Sequence, residues 1–361
     1  MSVRPKKTLL NPKLQRPNTW GAIPRDPQFL WLDKNENLDG ELAKFSEEIL
    51  GALPISTIGT YPEAAELYKK LASWLDVSID SLVLTPGSDG AIRMVFECFI
   101  DEGDTVIHTN PTFAMYPVYS QMFGANVFTL DYLPSRDGPY LDRDNIIKAI
   151  GRLKPKLVNI PNPDSPSGSV LDKEFLIEVL KACESAETVL LIDEAYHPFY
   201  IDSMVDLTQS SENLIVARTF AKAWGAAGFR IGYAVAHPNI ASLLHKLRPM
   251  YEVGSISVEF MSRLLDHPNV MQESVARIDE GKIYFIQELQ SLGYKTLPTN
   301  GNFIHVNFES DENQIYEYLK DKVLYRRSFD VECLKGYSRF SVAPKTQMIK
   351  IISWIRESLN K

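Results

Sequence analysis

The run Ser81-Leu-Val-Leu84-Thr85-Pro-Gly87-Ser88-Asp89-Gly90-Ala-Ile92-Arg-Met-Val95-Phe96-Glu-Cys-Phe99-Ile100 decides the fold class. Its opening is a short continuous apolar run, the form taken by a strand covered on both faces. Its close places Ile92, Val95, Phe96 and Phe99 at i, i+3, i+4 and i+7, the one-sided stripe of an amphipathic helix over Asp89–Ile100. Proline and two glycines punctuate the turn between them. Outward from this unit the same texture recurs. Asp104–His108, Lys156–Ile160, Thr188–Ile192, Asn213–Arg218 and Ile231–Ala236 read as further strands with helical stretches between. Strands alternating with helices predict an α/β domain on a mainly parallel sheet.

Beyond Pro238 the pattern shifts to longer amphipathic helices, Val258–Leu265 and Val270–Leu292. A strand–helix–strand–helix tail follows at Phe303–Phe308, Glu312–Lys320, Ser338–Val342 and Thr346–Leu359, the expected pattern of a smaller α+β domain. Residues 1–30 carry Pro5, Pro12, Pro17, Pro24 and Pro27 and read as an extended N-terminal arm. A length of 361 residues fits two domains better than one core.

Hydrophobic residues make up 45% and charged residues 23%, which excludes a disordered, collagen-like or disulfide-scaffold chain. The charge is 38 − 46 = −8 with no basic block, which argues against nucleic acid as a partner. Only Leu9-Leu10 follow the basic start before Asn11 and Pro12, too short for a secretory signal. No run approaches a membrane span, and the expected location is the cytoplasm. Cys98, Cys183 and Cys333 are odd in number and lack C-x-x-C spacing, so they are expected as small core hydrophobes. The six histidines are scattered, and no metal site is expected. Glycine-rich nucleotide loops, the zinc-protease H-E-x-x-H and the hydrolase G-x-S-x-G are absent.

What remains are polar residues at strand ends, where open α/β sheets bind ligands. Gly87-Ser88-Asp89-Gly90 opens a helix and is either an anion site or a plain capped turn. Asp193, after Val189–Ile192, either caps the next turn or meets a buried cation. Lys222, flanked by Ala221, Ala223 and Trp224, is placed for partial desolvation, which lowers a lysine pKa and favours Schiff-base chemistry. Arg230 either balances a phosphate or makes a surface ion pair.

In order and spacing, Asn37, Tyr61, Gly87-Ser88-Asp89, Asp193-x-x-Tyr196, Lys222, Arg230 and Arg339 resemble the fold-type-I pyridoxal-phosphate enzymes, specifically the branch of class I/II aminotransferases that is similar to histidinol-phosphate aminotransferase. The resemblance implies a large cofactor domain over residues 46–265 and a small domain from 31–45 with 266–361. It implies pyridoxal 5'-phosphate as cofactor and Lys222 as the Schiff-base lysine that shuttles the substrate proton. Asp193 would pair with the pyridine N–H, making the ring an electron sink, and Tyr196 would bond its phenolate. Phe113 matches the stacking aromatic. Gly87, Ser88, Asp89, Thr219 and Arg230 match the phosphate site, and Tyr61 matches a tyrosine reaching the phosphate of a neighbouring subunit, which implies a homodimer. Arg339 matches the arginine that grips the substrate carboxylate. Asn35, Asn37 and Asn302 would line the substrate pocket, and Arg326, with Arg327 beside it, would meet a substrate phosphate.

The sequence departs from that pattern in Asn162-Pro-Asp164-Ser165-Pro166-Ser167-Gly168, where Ser165 stands for the asparagine that bonds the cofactor phenolate. Ala221 stands for a phosphate-binding serine, and Leu38 for a proline. The implied function is an aminotransferase moving an amino group between an amino acid, with glutamate as donor, and a keto or aldehyde acceptor. The alternative is an amino-acid-phosphate decarboxylase of the same branch. The joint presence of Asp193, Tyr196, Lys222, Arg230 and Arg339 argues against a non-catalytic relative.

Overall fold

The structure is a computed structural model that describes residues 4–12, 14, 16 and 21–360; Pro17 of the arm lies outside them. Twelve strands occur among the described residues: Leu30–Trp31 (β1), Leu82–Thr85 (β2), Thr105–Asn110 (β3), Asn126–Asp131 (β4), Leu157–Pro161 (β5), Val189–Asp193 (β6), Leu214–Thr219 (β7), Gly232–Ala236 (β8), Lys295–Leu297 (β9), Phe303–Asn307 (β10), Val323–Leu324 (β11) and Ser338–Ser341 (β12). Seven form one sheet in the order β2-β8-β7-β6-β5-β3-β4. It is parallel except at β8, which runs antiparallel to both β2 and β7.

Side-chain alternation splits each central strand between two cores. Leu190, Ile192, Leu214 and Val216 enter the core on one face, and Leu191 and Ile215 enter that on the other. Helices cover both faces, which is why these strands read as unbroken apolar runs. The edge strand β4 escapes that reading because only Leu130 in it is buried. A third core joins Leu32 with the long helix Pro268–Ser291, the helix Lys345–Leu359 and the β12-β10-β9 sheet. The arm is not wholly extended: Lys7–Leu10 is a 3-10 turn, and β1 pairs in parallel with β11.

Element ends differ from the sequence reading in a way that bears on the site. Thr85, Asp193 and Thr219 are the last residues of β2, β6 and β7, so their polar side chains leave the hydrogen-bonded ladder itself. The expected helix Asp89–Ile100 is Gly87–Phe99, so Gly87, Ser88 and Asp89 form its first turn. Hydrophobicity marks where a strand is buried; the ladder continues one residue further, to the rim. Cys183 and Cys333 are buried, Cys98 is half-buried, and all are free thiols. Among the described residues, no helix is long and apolar enough to cross a membrane and no cluster could hold a metal ion.

Candidate active site

Asp193 ends β6, in register with Pro161 of β5 and Ala217 of β7. It is nearly inaccessible to solvent. One carboxylate oxygen accepts from the Ala195 amide at 3.1 Å and the other from the Tyr116 hydroxyl at 3.2 Å. It therefore does cap the turn, yet burial still pushes its pKa up to about 7 against the opposing pull of Tyr116. A carboxyl so placed ionises readily once a cation arrives beside it. The strand end is stiffened by the next residue. Glu194 accepts from Arg218 Nε and Nη2 at 2.9 and 2.8 Å and from the Met204 amide at 2.7 Å, all within the core.

After β7 the chain makes an excursion from Phe220 to Ile231 and returns as β8, with Thr219 opposite Gly232. Lys222 lies in this excursion, half-buried, its Nζ donating to the Lys34 carbonyl at 2.8 Å and lying 5.7 Å from the Tyr196 ring centroid. Burial draws its pKa below the ordinary lysine value, and Arg339 and Arg230 act in the same direction. The flanking alanines and Trp224 supply that desolvation, as the sequence suggests.

Arg230 closes the excursion in a left-handed conformation and lies against Gly87, where an added Cβ would meet its Nη2 at 2.9 Å. Gly87 itself has φ +75, and Gly232 sits so tightly that an added Cβ would meet the Gly87 carbonyl carbon at 2.6 Å. The helix that starts at Gly87 has no side-chain cap on its first turn. Thr219 accepts from the Ala221 amide at 3.1 Å, which leaves its own hydroxyl hydrogen to donate. Ser88 and Asp89 are half-buried in the same turn, with Asp89 accepting from the Tyr119 hydroxyl at 2.8 Å. Amide donors, a guanidinium and a hydroxyl thus converge where β2, β7 and β8 meet, a cradle for an anion.

The facing wall comes from distant sequence. Asn35 donates to the Tyr196 hydroxyl at 2.7 Å, and Asn302 donates to the Asn35 and Glu36 carbonyls at 3.1 and 3.3 Å. The Asn302 side-chain oxygen is buried without a partner. Arg339 is 7% exposed; it donates to the Asp33 carbonyl at 2.8 Å and weakly to Ser165 at 3.4 Å, and its Nε has no partner. A buried guanidinium with an unmet donor and no carboxylate hydrogen-bonded to it among the described residues is poised for an anionic ligand. Arg326 pairs backbone to backbone with Arg339 and lies with its guanidinium 4.5 Å from the Phe329 ring centroid, a ring Arg339 approaches at 6.0 Å. Arg327 turns away: it is bound by Glu312 at 3.0 Å and by Asn313.

Other expected residues sit differently. Asn37 spends its amide on the Ala223 carbonyl and Ser274, both at 3.0 Å, so it braces the lysine loop rather than presenting a free group to a pocket. Phe113 is exposed and meets Tyr116 edge-on. Tyr61 lies on the surface stacked on Tyr251 at 4.3 Å. Tyr116, the Glu194–Arg218 pair and Lys282 were not singled out in the sequence. Lys282 donates to the Thr299 and Gly301 carbonyls at 2.6 and 2.8 Å, fixing the turn before Asn302, and burial pulls its pKa to about 8. The available signal for the ion pair was a pair of opposite charges, Glu194 and Arg218, at matching ends of two apolar runs.

The sequence matches the family described as aminotransferase class I and II over residues 27–352. It is 34% identical over 335 residues to a histidinol-phosphate aminotransferase of Thermoanaerobacter sp. (strain X514), covering 91% of this chain and 92% of that one. Identity to the histidinol-phosphate aminotransferase of Caldanaerobacter subterraneus subsp. tengcongensis is 33% over 334 residues, 91% and 93% of the two chains. Among solved structures, histidinol-phosphate aminotransferase from Sinorhizobium meliloti in complex with pyridoxal-5'-phosphate shares the fold with a TM-score of 0.79 at 22% identity, covering 94% and 96%.

Proposed function

This chain belongs to the class I and II aminotransferase family and is a pyridoxal-phosphate-dependent transaminase with small-molecule substrates; from that premise we propose the roles of its residues and its substrate class. The observation that carries the assignment is the desolvated Lys222 amine, held by a single backbone carbonyl on the rim between the anion cradle and a buried arginine with an unmet donor.

The residues present fit the cofactor. The Gly87–Asp89 turn, Thr219 and Arg230 would take its phosphate, Asp193 its ring nitrogen, Tyr196 its phenolate and Lys222 its carbonyl carbon, with Phe113 against the ring and Ser165 on the phenolate side. When bound, the cofactor supplies an electron sink for the substrate Cα. The protein supplies the rest. Asp193, a carboxyl balanced near neutrality, becomes a fixed anion when a protonated nitrogen adjoins it. Lys222, with its pKa lowered by burial, can give up and retake a proton at Nζ, which suits it to carry the substrate Cα proton. Arg339, aimed by the Asp33 carbonyl, binds the α-carboxylate through the donors left free. Asn35 and Asn302 orient Tyr196 and the loop beside it, and Asn37 holds the lysine loop.

Arg326 beside Arg339 favours a substrate carrying a phosphate, a phosphorylated amine of the histidinol-phosphate kind, with glutamate as donor. We place the enzyme in the cytoplasm as a homodimer, with exposed Tyr61 reaching the neighbour's cradle. Its large domain would span residues 46–265, its small domain 31–45 with 266–361, and its arm 1–30. Mixing the holoenzyme with glutamate should abolish the absorbance of the lysine-bound cofactor and release a keto acid; histidinol phosphate, which has no carboxylate, should abolish it likewise and release a phosphorylated ketone. Carbon dioxide from a phosphorylated amino acid, without keto acid, would identify a decarboxylase instead.

A further inference from the structure

One short loop, residues 33–37, reaches residues of both walls. The Asp33 carbonyl accepts from Arg339 Nη2 at 2.8 Å, and the Lys34 carbonyl accepts from Lys222 Nζ at 2.8 Å. Asn35 donates to Tyr196 at 2.7 Å, and its backbone amide donates to Ser341 at 2.8 Å. Asn302 donates to the carbonyls of Asn35 and Glu36, and Asn37 donates to the carbonyl of Ala223. The loop is not itself regular structure, and Asn35 holds a left-handed conformation within it. Its shape is therefore set by whatever grips its side chains.

That grip comes from the N-terminal arm. Arg25 Nη1 and Nη2 donate to the two Glu36 carboxylate oxygens at 2.7 and 2.8 Å, and Nη1 also meets Asp33 at 3.0 Å. The guanidinium lies 4.1 Å from the Trp31 ring centroid, and the Trp31 indole donates to the Asp26 carbonyl at 2.7 Å. A planar fork closed on one carboxylate, touching a second and stacked on an aromatic, has one geometry, which a lysine would not reproduce. The Arg25 bond also holds the Glu36 carboxyl below its ordinary pKa, so the latch stays charged at neutral pH.

We propose that Arg25 is a positioning residue: by bridging Glu36 and Asp33 it fixes the 33–37 loop, and through the Asp33 and Lys34 carbonyls it aims Arg339 and Lys222. The proposal rests on the reading of Arg339 as the carboxylate grip and Lys222 as the reactive amine. Its three side chains are all about a quarter exposed, so the latch is screened by salt and its effect is moderate.

The test compares the wild type with Arg25→Ala, Arg25→Lys, Glu36→Gln and the Arg25→Ala/Glu36→Gln double variant. In the cofactor-free chain, amide hydrogen exchange of residues 33–37 should quicken about tenfold in Arg25→Ala. In the holoenzyme, succinate, a dicarboxylate that cannot transaminate, should bind about fivefold more weakly. Arg25→Lys should recover only part of both effects, and the double variant should be no worse than Arg25→Ala. Added salt should weaken succinate binding more in the wild type than in Arg25→Ala. A lowered melting temperature with unchanged succinate affinity would overturn the proposal, as would unchanged exchange across 33–37. If the wild type bound no succinate, the reading of Arg339 would fail and exchange alone would judge the latch. Transamination, measured separately with glutamate, judges the aminotransferase reading.

Discussion

On the rim wall, Asp193 and Thr219 are terminal rungs of adjacent strands, and Lys222 and Arg230 hang from an excursion whose two ends pair in the sheet. On the facing wall, Asn35 lies hundreds of residues from Asn302 and Arg339, and the three are aimed by backbone carbonyls and side-chain latches. The rim inherits its precision from the sheet ladder and from a buried ion pair at its ends. The facing wall must build its own, through Arg25, Lys282 and Asn37. A rigid wall suits a cofactor that stays; an adjustable wall suits substrates that enter and leave.

Four substitutions can break or sharpen that contrast. Lys222→Ala should cut turnover by about 10⁴-fold or more and remove the absorbance of the lysine-bound cofactor. The denaturation midpoint should barely move, because the side chain contributes one hydrogen bond to a carbonyl. Glu194→Gln tests the rim's stiffness. It leaves Arg218 buried without a counter-charge and should cost about 3–5 kcal/mol in chemical denaturation, whereas an unaffected midpoint would mean the ladder alone holds the rim. Arg339→Lys probes the facing wall. It should reduce kcat/KM for glutamate by about 10- to 100-fold through KM, with little change in stability.

The last effect is set by pH and is expected at Asp164, a fully buried carboxyl where Ser167 opposes, without cancelling, the burial that holds its pKa well above the usual range. The unfolded chain ionises this group near about pH 4, while the folded chain keeps its proton. Stability therefore falls as pH rises above about 4, and Asp164→Asn removes that dependence. Melting curves should coincide near the acid limit and separate in favour of the variant by about 1.4 kcal/mol for each pH unit above about 4 over which the fold keeps the proton. A gap that narrows with rising pH would show that Asp164 is ionised in the fold.

The contrast also explains what the sequence could disclose. Strand–helix alternation and the residues just past apolar runs made the rim legible, because a sheet puts consecutive strand ends side by side wherever they fall in the chain. Asp193, Lys222 and Arg230 were accordingly readable with their neighbours. Thr219, Arg339 and Asn302 were readable only by resemblance, since nothing local in Tyr337-Ser-Arg339-Phe announces a buried guanidinium. Arg25 and Lys282 gave no signal at all, because Lys282 binds backbone carbonyls and Arg25 binds carboxylates eight and eleven residues on, in a loop without regular period. The edge strand β4 was silent for a different reason: with one neighbour and a wet surface, it has no need of an apolar run.

The reversal of β8 has a consequence for how this protein can vary. A wholly parallel sheet offers its rim only departing chain; here one strand starts where its neighbours end, so an arriving segment contributes Arg230 beside the departing Thr219. Both ends of the excursion between them are welded into the ladder, with Phe220 donating to Ile231 at its neck. Insertions at that loop could not be absorbed by sliding the strands, since a one-residue slip would turn Arg218 and Ala217 to the wrong faces. Lineages of this chain should therefore keep the spacing from Thr219 to Gly232 while the far rim, around β4, drifts freely in length.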